Sequence, residues 1–293
     1  MKKHAYLIIA HNEPYILKSL VEMIDDIRND IYIMIDAKAE IKQFQAINAT
    51  YSKLIFLSNR IDIRWAEDSQ METELLLFET ARSNYHYTYY HLLSGVDLPL
   101  KTQNEMHNFF TLNAGKEFIE IGIDQQELEH KTKYYTLFYR QINRGSKLEK
   151  SFFRTLNAIL RILQRVCGIQ RKYDGMALRK GSNWVSITDA FVCYLLERKD
   201  YILKTFKGIP CVDEVYKQTM FWNSPFREHL YQTTTDTASL RELDWSRGKP
   251  YIWRIEDLPH LKQCDKMFAR KFSTSVDLEI IDAMKTYIQR NNN

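Results

Sequence analysis

The chain has 293 residues and a mass of 35.0 kDa, with 45% hydrophobic, 27% charged and 13% aromatic residues. That composition excludes disorder, collagen and coiled coil as whole-chain descriptions. Forty-one Lys and Arg against 37 Asp and Glu give a net charge of +4, which argues against a dedicated nucleic-acid binder and leaves room for a local basic pocket.

Residues 5–10 (AYLIIA) form a short apolar run of strand formers. The run is too short for the core of a signal peptide, and His11-Asn12-Glu13 follows it where a cleavage site would need small residues. A helix-period segment runs from about Pro14 to Asp26. IYIMID (31–36) and KLIFLSN (53–59) are two more buried-strand patterns, and residues 71–84 are an amphipathic helix. This alternation predicts a βαβ unit with a mostly parallel, buried sheet. Ligands of such sheets sit at the carboxyl ends of the strands, here Ala10-His11-Asn12-Glu13 and Asp36-Ala37-Lys38.

The Tyr-rich half of residues 84–102 reads as a helix or strand packed on the sheet, and SGVDLPLKT as a loop. EFIEIGI (117–123) is a further expected strand. Residues 133–172 are basic and contain the amphipathic run SFFRTLNAILRILQRV. Such a run is either a solvated helix with one core face or a peripheral membrane contact. GSNWVSIT (181–188), a helix from Asp189, VDE (212–214) and a tail ending in a last helix complete the chain. No repeat, linker or composition break divides it, so one domain with a C-terminal elaboration is expected. No stretch approaches the roughly 20 apolar residues of a membrane span. Cys167, Cys193, Cys211 and Cys264 show no C-x-x-C spacing and read as reduced, cytosolic and mostly buried.

Neither a Gly-x-Gly-x-x-Gly nor a P-loop motif occurs. Asp213-Glu214 opens a helical pattern, where acids either complement the helix dipole or supply a general base. Arg270 and Lys271 lie between Phe268 and Phe272. Adjacent side chains point in different directions, so only one of the two cations is expected to face a pocket. There it could neutralise a diphosphate. Asp36 ends a buried strand and is either a turn residue or a ligand contact. Asn12 is a candidate cap for the helix starting at Pro14. Trp245 and Trp253 stand near Arg247 and Arg254, as core or as sugar-binding faces.

Taken in order, HNEP, IDAK, RWAEDSQ, HLLSGVDLPLKT, GSNWVSIT, VDE, DW…G…P and MFARKFSTSVD resemble the core-2/I-branching β-1,6-N-acetylglucosaminyltransferases. That family, glycosyltransferase family 14, includes the peptide O-xylosyltransferases. The likeness runs from about Ala5 to Ala283. A chain without a stem, anchor or extra disulfides looks like a bacterial-type member.

The resemblance implies an α/β, GT-A type nucleotide-sugar-binding fold. Residues of about 1–115 would form the nucleotide part and 116–293 the acceptor and catalytic part. It implies an inverting transfer from a UDP-sugar to a glycan hydroxyl, with N-acetylglucosamine as the favoured sugar and xylose as the alternative; a non-catalytic module that binds a glycan or nucleotide sugar is the other reading. No Asp-x-Asp is present, and the branching enzymes do without a metal, so no divalent metal and no other cofactor is expected. By the same likeness Glu214 is the catalytic base and Lys271 binds the diphosphate, helped by Arg247 or Arg254. Ala10, His11, Asp36, Trp65 and Asp97 line the donor side. Gly181, Ser182, Trp184, Trp245 and, by looser alignment, Glu120 and Lys133 line the acceptor side. The expected acceptor is a glycan or lipid-linked oligosaccharide of a bacterial surface polysaccharide. The expected location is cytoplasmic, at the inner face of the membrane through segment 133–172.

Overall fold

The computed structural model describes residues 2–122, 128, 132–231 and 238–291. In chain order its first half runs β1 (His4–Ala10), α1 (Pro14–Ile24), β2 (Asn29–Ile35), β3 (Lys53–Phe56), α2 (Asp68–Asn84), β4 (Tyr89–Ser94), β5 (Asp97–Pro99) and α3 (Gln103–Leu112). The second half holds α4 (Tyr139–Asn143), α5 (Lys147–Val166), β6 (Ser186–Thr188), α6 (Asp189–Glu197), α7 (Lys199–Phe206), α8 (Tyr216–Trp222), β7 (Arg241–Glu242), α9 (Leu258–Gln263), β8 (Phe268–Arg270) and α10 (Glu279–Asn291).

The main sheet has the order β3-β2-β1-β4-β6. The first four strands are parallel and β6 is antiparallel to β4. β1 and β2 are buried at every position, which is why they read as unbroken apolar runs rather than as alternation. Tyr6, Ile8 and Ala10 point into a core shared with α1, α3 and α10. Ala5, Leu7 and Ile9 point into a second core shared with α2, α6, α7 and α8. The Tyr-rich segment is β4, a central strand beside β1.

A small sheet, β5-β8-β7, adjoins the main one. Arg241 joins the two. Its buried guanidinium donates to the carbonyls of Leu92 and Val185 and to the Ser186 hydroxyl, and burial pulls its pKa down to about 9.

Several expectations need correction. The predicted strand over 117–123 is reduced to single bridges at Glu117 and Phe118; Ile123 lies outside the described residues. The segment SGVDLPLKT, expected as a loop, contains β5, because Asp97–Pro99 pairs with β8. Asn12 does not cap α1. The cap position is Glu13, in the left-handed region at φ 54, and its carboxylate turns to Ser273 and Thr274 instead. The four cysteines are unpaired, but Cys167 is exposed and the other three are half-buried, because Cys167, Cys211 and Cys264 sit at helix ends and in turns and Cys193 is not on the buried face of α6.

Candidate active site

The carboxyl ends of β1, β2 and β4 meet at one edge of the sheet. The Asp36 amide donates to the Ala10 carbonyl at 2.8 Å, and the Gly95 amide to the Ile9 carbonyl at 2.9 Å. Gly95 is needed there, since a Cβ would stand 2.6 Å from that of Ala10. His11 follows, exposed, with its pKa lowered by partial desolvation beside the surrounding protein, against the action of Asp36. Asp36 is a turn residue. Its carboxylate accepts the Lys38 amide at 2.9 Å and the Lys38 ammonium at 2.7 Å. Lys38 also binds Asp62 and the Ile63 carbonyl. Trp65, two residues beyond Ile63, is 85% exposed.

The other wall comes from the opposite end of the sequence. β8 runs antiparallel to β5 and sets Arg270 opposite Asp97. Asp97 is buried, and its carboxylate accepts the Ser94 amide, the Ser94 hydroxyl and Arg270 at 2.8–2.9 Å. The residue expected on the donor side is thus held by three hydrogen bonds within the protein. Arg270 is thereby neutralised, and the Trp184 ring covers it at 4.6 Å. Lys271 differs. Its amide and carbonyl are held by Tyr251 and Trp253, the Phe272 amide binds the Val96 carbonyl, and its half-exposed ammonium has no ion pair among the described residues. Of the two adjacent cations, one closes the fold and the other is uncompensated.

Arg247 packs on Tyr251 at 3.9 Å and is pinned between Asp244 and Asp257. Arg254 is exposed. Trp245 lies in the Arg247 turn and is 66% exposed, whereas Trp253 is core and donates its indole N–H to the Arg270 carbonyl.

Glu214 ends a 3-10 turn, Val212–Glu214, rather than opening the helix itself; α8 starts two residues later. Its side chain is partly exposed and 3.5 Å from the Lys180 ammonium. Beneath the turn lies a buried polar network that sequence reasoning missed. Glu74 of α2 takes the Lys217 ammonium and the Tyr216 hydroxyl. Lys217 also reaches Asn183 at 2.6 Å and the Asp213 carbonyl at 2.9 Å. Burial and the nearby Glu74 push the Asp213 carboxyl up to about 7. Nothing in the local pattern distinguishes Glu74 or Lys217 from a solvated helix residue.

Residues 181–184 join the two halves. The Gly181 amide donates to the Glu214 carbonyl at 2.9 Å. A Cβ on Gly181 would stand 1.9 Å from the Glu120 carbonyl oxygen, so no side chain fits. The Ser182 carbonyl accepts from Gln218 at 2.6 Å, Asn183 binds Lys217, and Trp184 covers Arg270. Three Cα steps, at most about 11 Å, therefore separate the residue that grips the Glu214 turn from the one on the cationic wall. Glu120 adjoins this loop. Lys133 is exposed, and its described contacts are to Tyr134 and Arg171. Among the described residues no three His, Cys, Asp or Glu side chains stand together as metal ligands.

This edge offers a partly exposed carboxylate, an uncompensated ammonium and an aromatic-lined loop between them, on a sheet built to bind at its carboxyl ends. The family model for the Core-2/I-branching enzyme matches residues 4–277, and the chain belongs to that family. It is 21% identical to xylosyltransferase 2 of Rattus norvegicus over 97% of its length, covering 33% of that protein. It is 20% identical to xylosyltransferase oxt of Drosophila melanogaster, covering 88% of this chain and 30% of that one. To the beta-1,3-galactosyl-O-glycosyl-glycoprotein beta-1,6-N-acetylglucosaminyltransferase of Bos taurus it is 22% identical, covering 97% and 69%. The chain thus spans about a third of the length of the xylosyltransferases it matches. Family and relatives point to a glycosyltransferase, and the relatives differ in the sugar that their names carry.

Proposed function

We propose that the chain transfers a sugar from a UDP-linked donor to a hydroxyl of a glycan acceptor, with inversion and without a divalent metal. The observation that carries this reading is the loop 181–184, which ties the Glu214 turn to the wall bearing Arg270 and Lys271. The acceptor hydroxyl gives its proton to Glu214 as its oxygen attacks the anomeric carbon. The bond from that carbon to the diphosphate breaks on the opposite face, and UDP leaves with the electron pair. Lys271 meets the charge that develops there, the point at which an aimed cation is most effective. Ala10, His11 and Asp36 form the floor for the nucleoside. Trp184 and Trp245 offer faces to the acceptor.

N-acetylglucosamine is the sugar we favour and xylose the alternative. The setting we infer is assembly of a bacterial surface polysaccharide at the cytoplasmic side, with a glycan or lipid-linked oligosaccharide as acceptor. Calorimetric titration with UDP, UDP-N-acetylglucosamine and UDP-xylose in EDTA tests the reading. Binding of one UDP-sugar without metal supports it and names the donor. Binding only after manganese is added would overturn the metal-free assignment, and no binding under either condition would overturn the donor class.

A further inference from the structure

The helix α5 is bound to the protein on one side only. Phe153 packs on Phe138 with ring centroids 5.3 Å apart, Asn157 accepts the Phe138 amide, and Gln164 exchanges two hydrogen bonds with the Tyr135 backbone. The opposite face carries Leu148, Phe152, Ile159, Ile162, Leu163 and Val166. At offsets of 4, 11, 14, 15 and 18 from Leu148 these fall on one stripe of a 3.6-residue helix. Each is between 50% and 84% exposed. A contiguous apolar stripe of this kind on a protein surface marks a contact.

The charge beside it says which contact. Lys147, Lys150, Arg154, Arg161 and Arg165, at offsets of −1, 2, 6, 13 and 17, lie more than about 100° round the helix from the middle of the stripe, on its polar side, and Glu149 is engaged in capping its first turn with Ser146. Residues 133–172 hold ten cations and one anion, against +4 for the whole chain, so the remainder is net acidic. A second copy would bring two such cationic helices together, which like-charge repulsion opposes. An apolar face on one side and a polar face of long cationic side chains on the other are what a helix lying in a lipid headgroup layer carries. No helix among the described residues is long and apolar enough to cross a membrane.

We propose that α5 docks this protein on an anionic lipid bilayer, lying in its surface with the Phe152 stripe inserted. The hairpin of α4 and α5 is fixed to the site side of the fold. Arg144, between the two helices, grips buried Glu67 through two nitrogens, and Glu67 stands two residues after Trp65. A docked helix therefore holds the carboxyl edge of the sheet near the membrane. The docking does not depend on the transfer reaction.

The test is cosedimentation of the full chain with vesicles of phosphatidylcholine, alone and mixed in equal parts with phosphatidylglycerol, together with light scattering of the protein without lipid. Binding to the mixed vesicles at low salt that weakens as salt rises is expected. Phe152→Glu with Ile159→Glu, and separately Arg154→Glu with Arg161→Glu, should each weaken it on the order of tenfold or more, with the thermal midpoint nearly unchanged, since Phe152, Arg154 and Ile159 are exposed and Arg161 half-exposed. Absence of binding at low salt, equal binding by the variants, or a dimer in the lipid-free protein that Phe152→Glu dissolves would each overturn the proposal. The last outcome would assign the stripe to self-association.

Discussion

The Trp184 ring lies 4.6 Å over the Arg270 guanidinium while the same guanidinium is paired with Asp97 at 2.8 Å. The aromatic face thus covers a charge that has already been neutralised. Lys271, one residue on, is left as the cation available to an anionic group.

Replacing each cation should separate their roles. Lys271→Ala is expected to weaken UDP binding by about 1.5–3 kcal/mol, the range for hydrogen bonds to charged groups, with thermal stability nearly unchanged. Arg270→Ala should lower the thermal midpoint, because it strands the buried Asp97 carboxylate. Calorimetry and thermal melts on the two variants check this; equal effects on both readouts would contradict the division.

Glu214→Gln keeps the size of the side chain and removes the base. Transfer should fall roughly 10²–10⁴-fold while UDP affinity holds. Single-turnover assays alongside UDP titration read both.

Lys217→Met leaves Glu74 buried without its ammonium. The expected loss is about 3–5 kcal/mol, seen in chemical denaturation. Because Lys217 also holds Asn183, the loop 181–184 should loosen as well, and activity should drop below what the folded fraction accounts for.

Gly181→Ala forces a methyl into the Glu120 carbonyl. Overpacking of this kind costs about 1–3 kcal/mol, and the amide grip on Glu214 should be lost with it. A variant with unaltered stability and turnover would show that the loop shifts freely.

Stability should peak close to pH 6.5. His4, His91 and His107 are buried with lowered pKa values, that of His107 to about 4. Below 6.5 the unfolded chain binds the protons that the folded one refuses, so these groups lose stability as pH falls. Burial raises Glu117 and Asp213 to about 7. The folded state holds their protons where the unfolded state does not, so their contribution is lost as pH rises through 7. Three groups against two leave stability rising up to about 6.5 and falling from there to just above 7, beyond which neither set changes it. Thermal melts from pH 5 to 8 that show a flat profile would contradict this.

The parallel sheet and its carboxyl edge were legible because β1 and β2 are buried on both sides and therefore spell continuous apolar runs. Motifs single out Glu214, Lys271 and the loop 181–184, and the structure adds what each of them touches. The state of each charge was not. Asp97 and Arg270 stand 173 positions apart in sequence, and only the antiparallel pairing of β5 with β8 reveals that they cancel. Glu74 and Lys217 escaped notice for the same reason: their burial is decided by packing between α2 and α8. The segment 117–123 misled because an apolar run can be buried against loops without a strand partner.

Glu13 accepts from Ser273 and Thr274, 260 positions further along. The pocket floor is translated first and the cationic wall nearly last. A nascent or truncated chain ending before β8 would leave one face of the central sheet without Phe268, Phe272 and α10, and its edge with neither Arg270 nor Lys271. The core under α1 and the cationic wall are therefore completed together, near the end of synthesis, and a clipped C-terminus would cost stability as well as the wall.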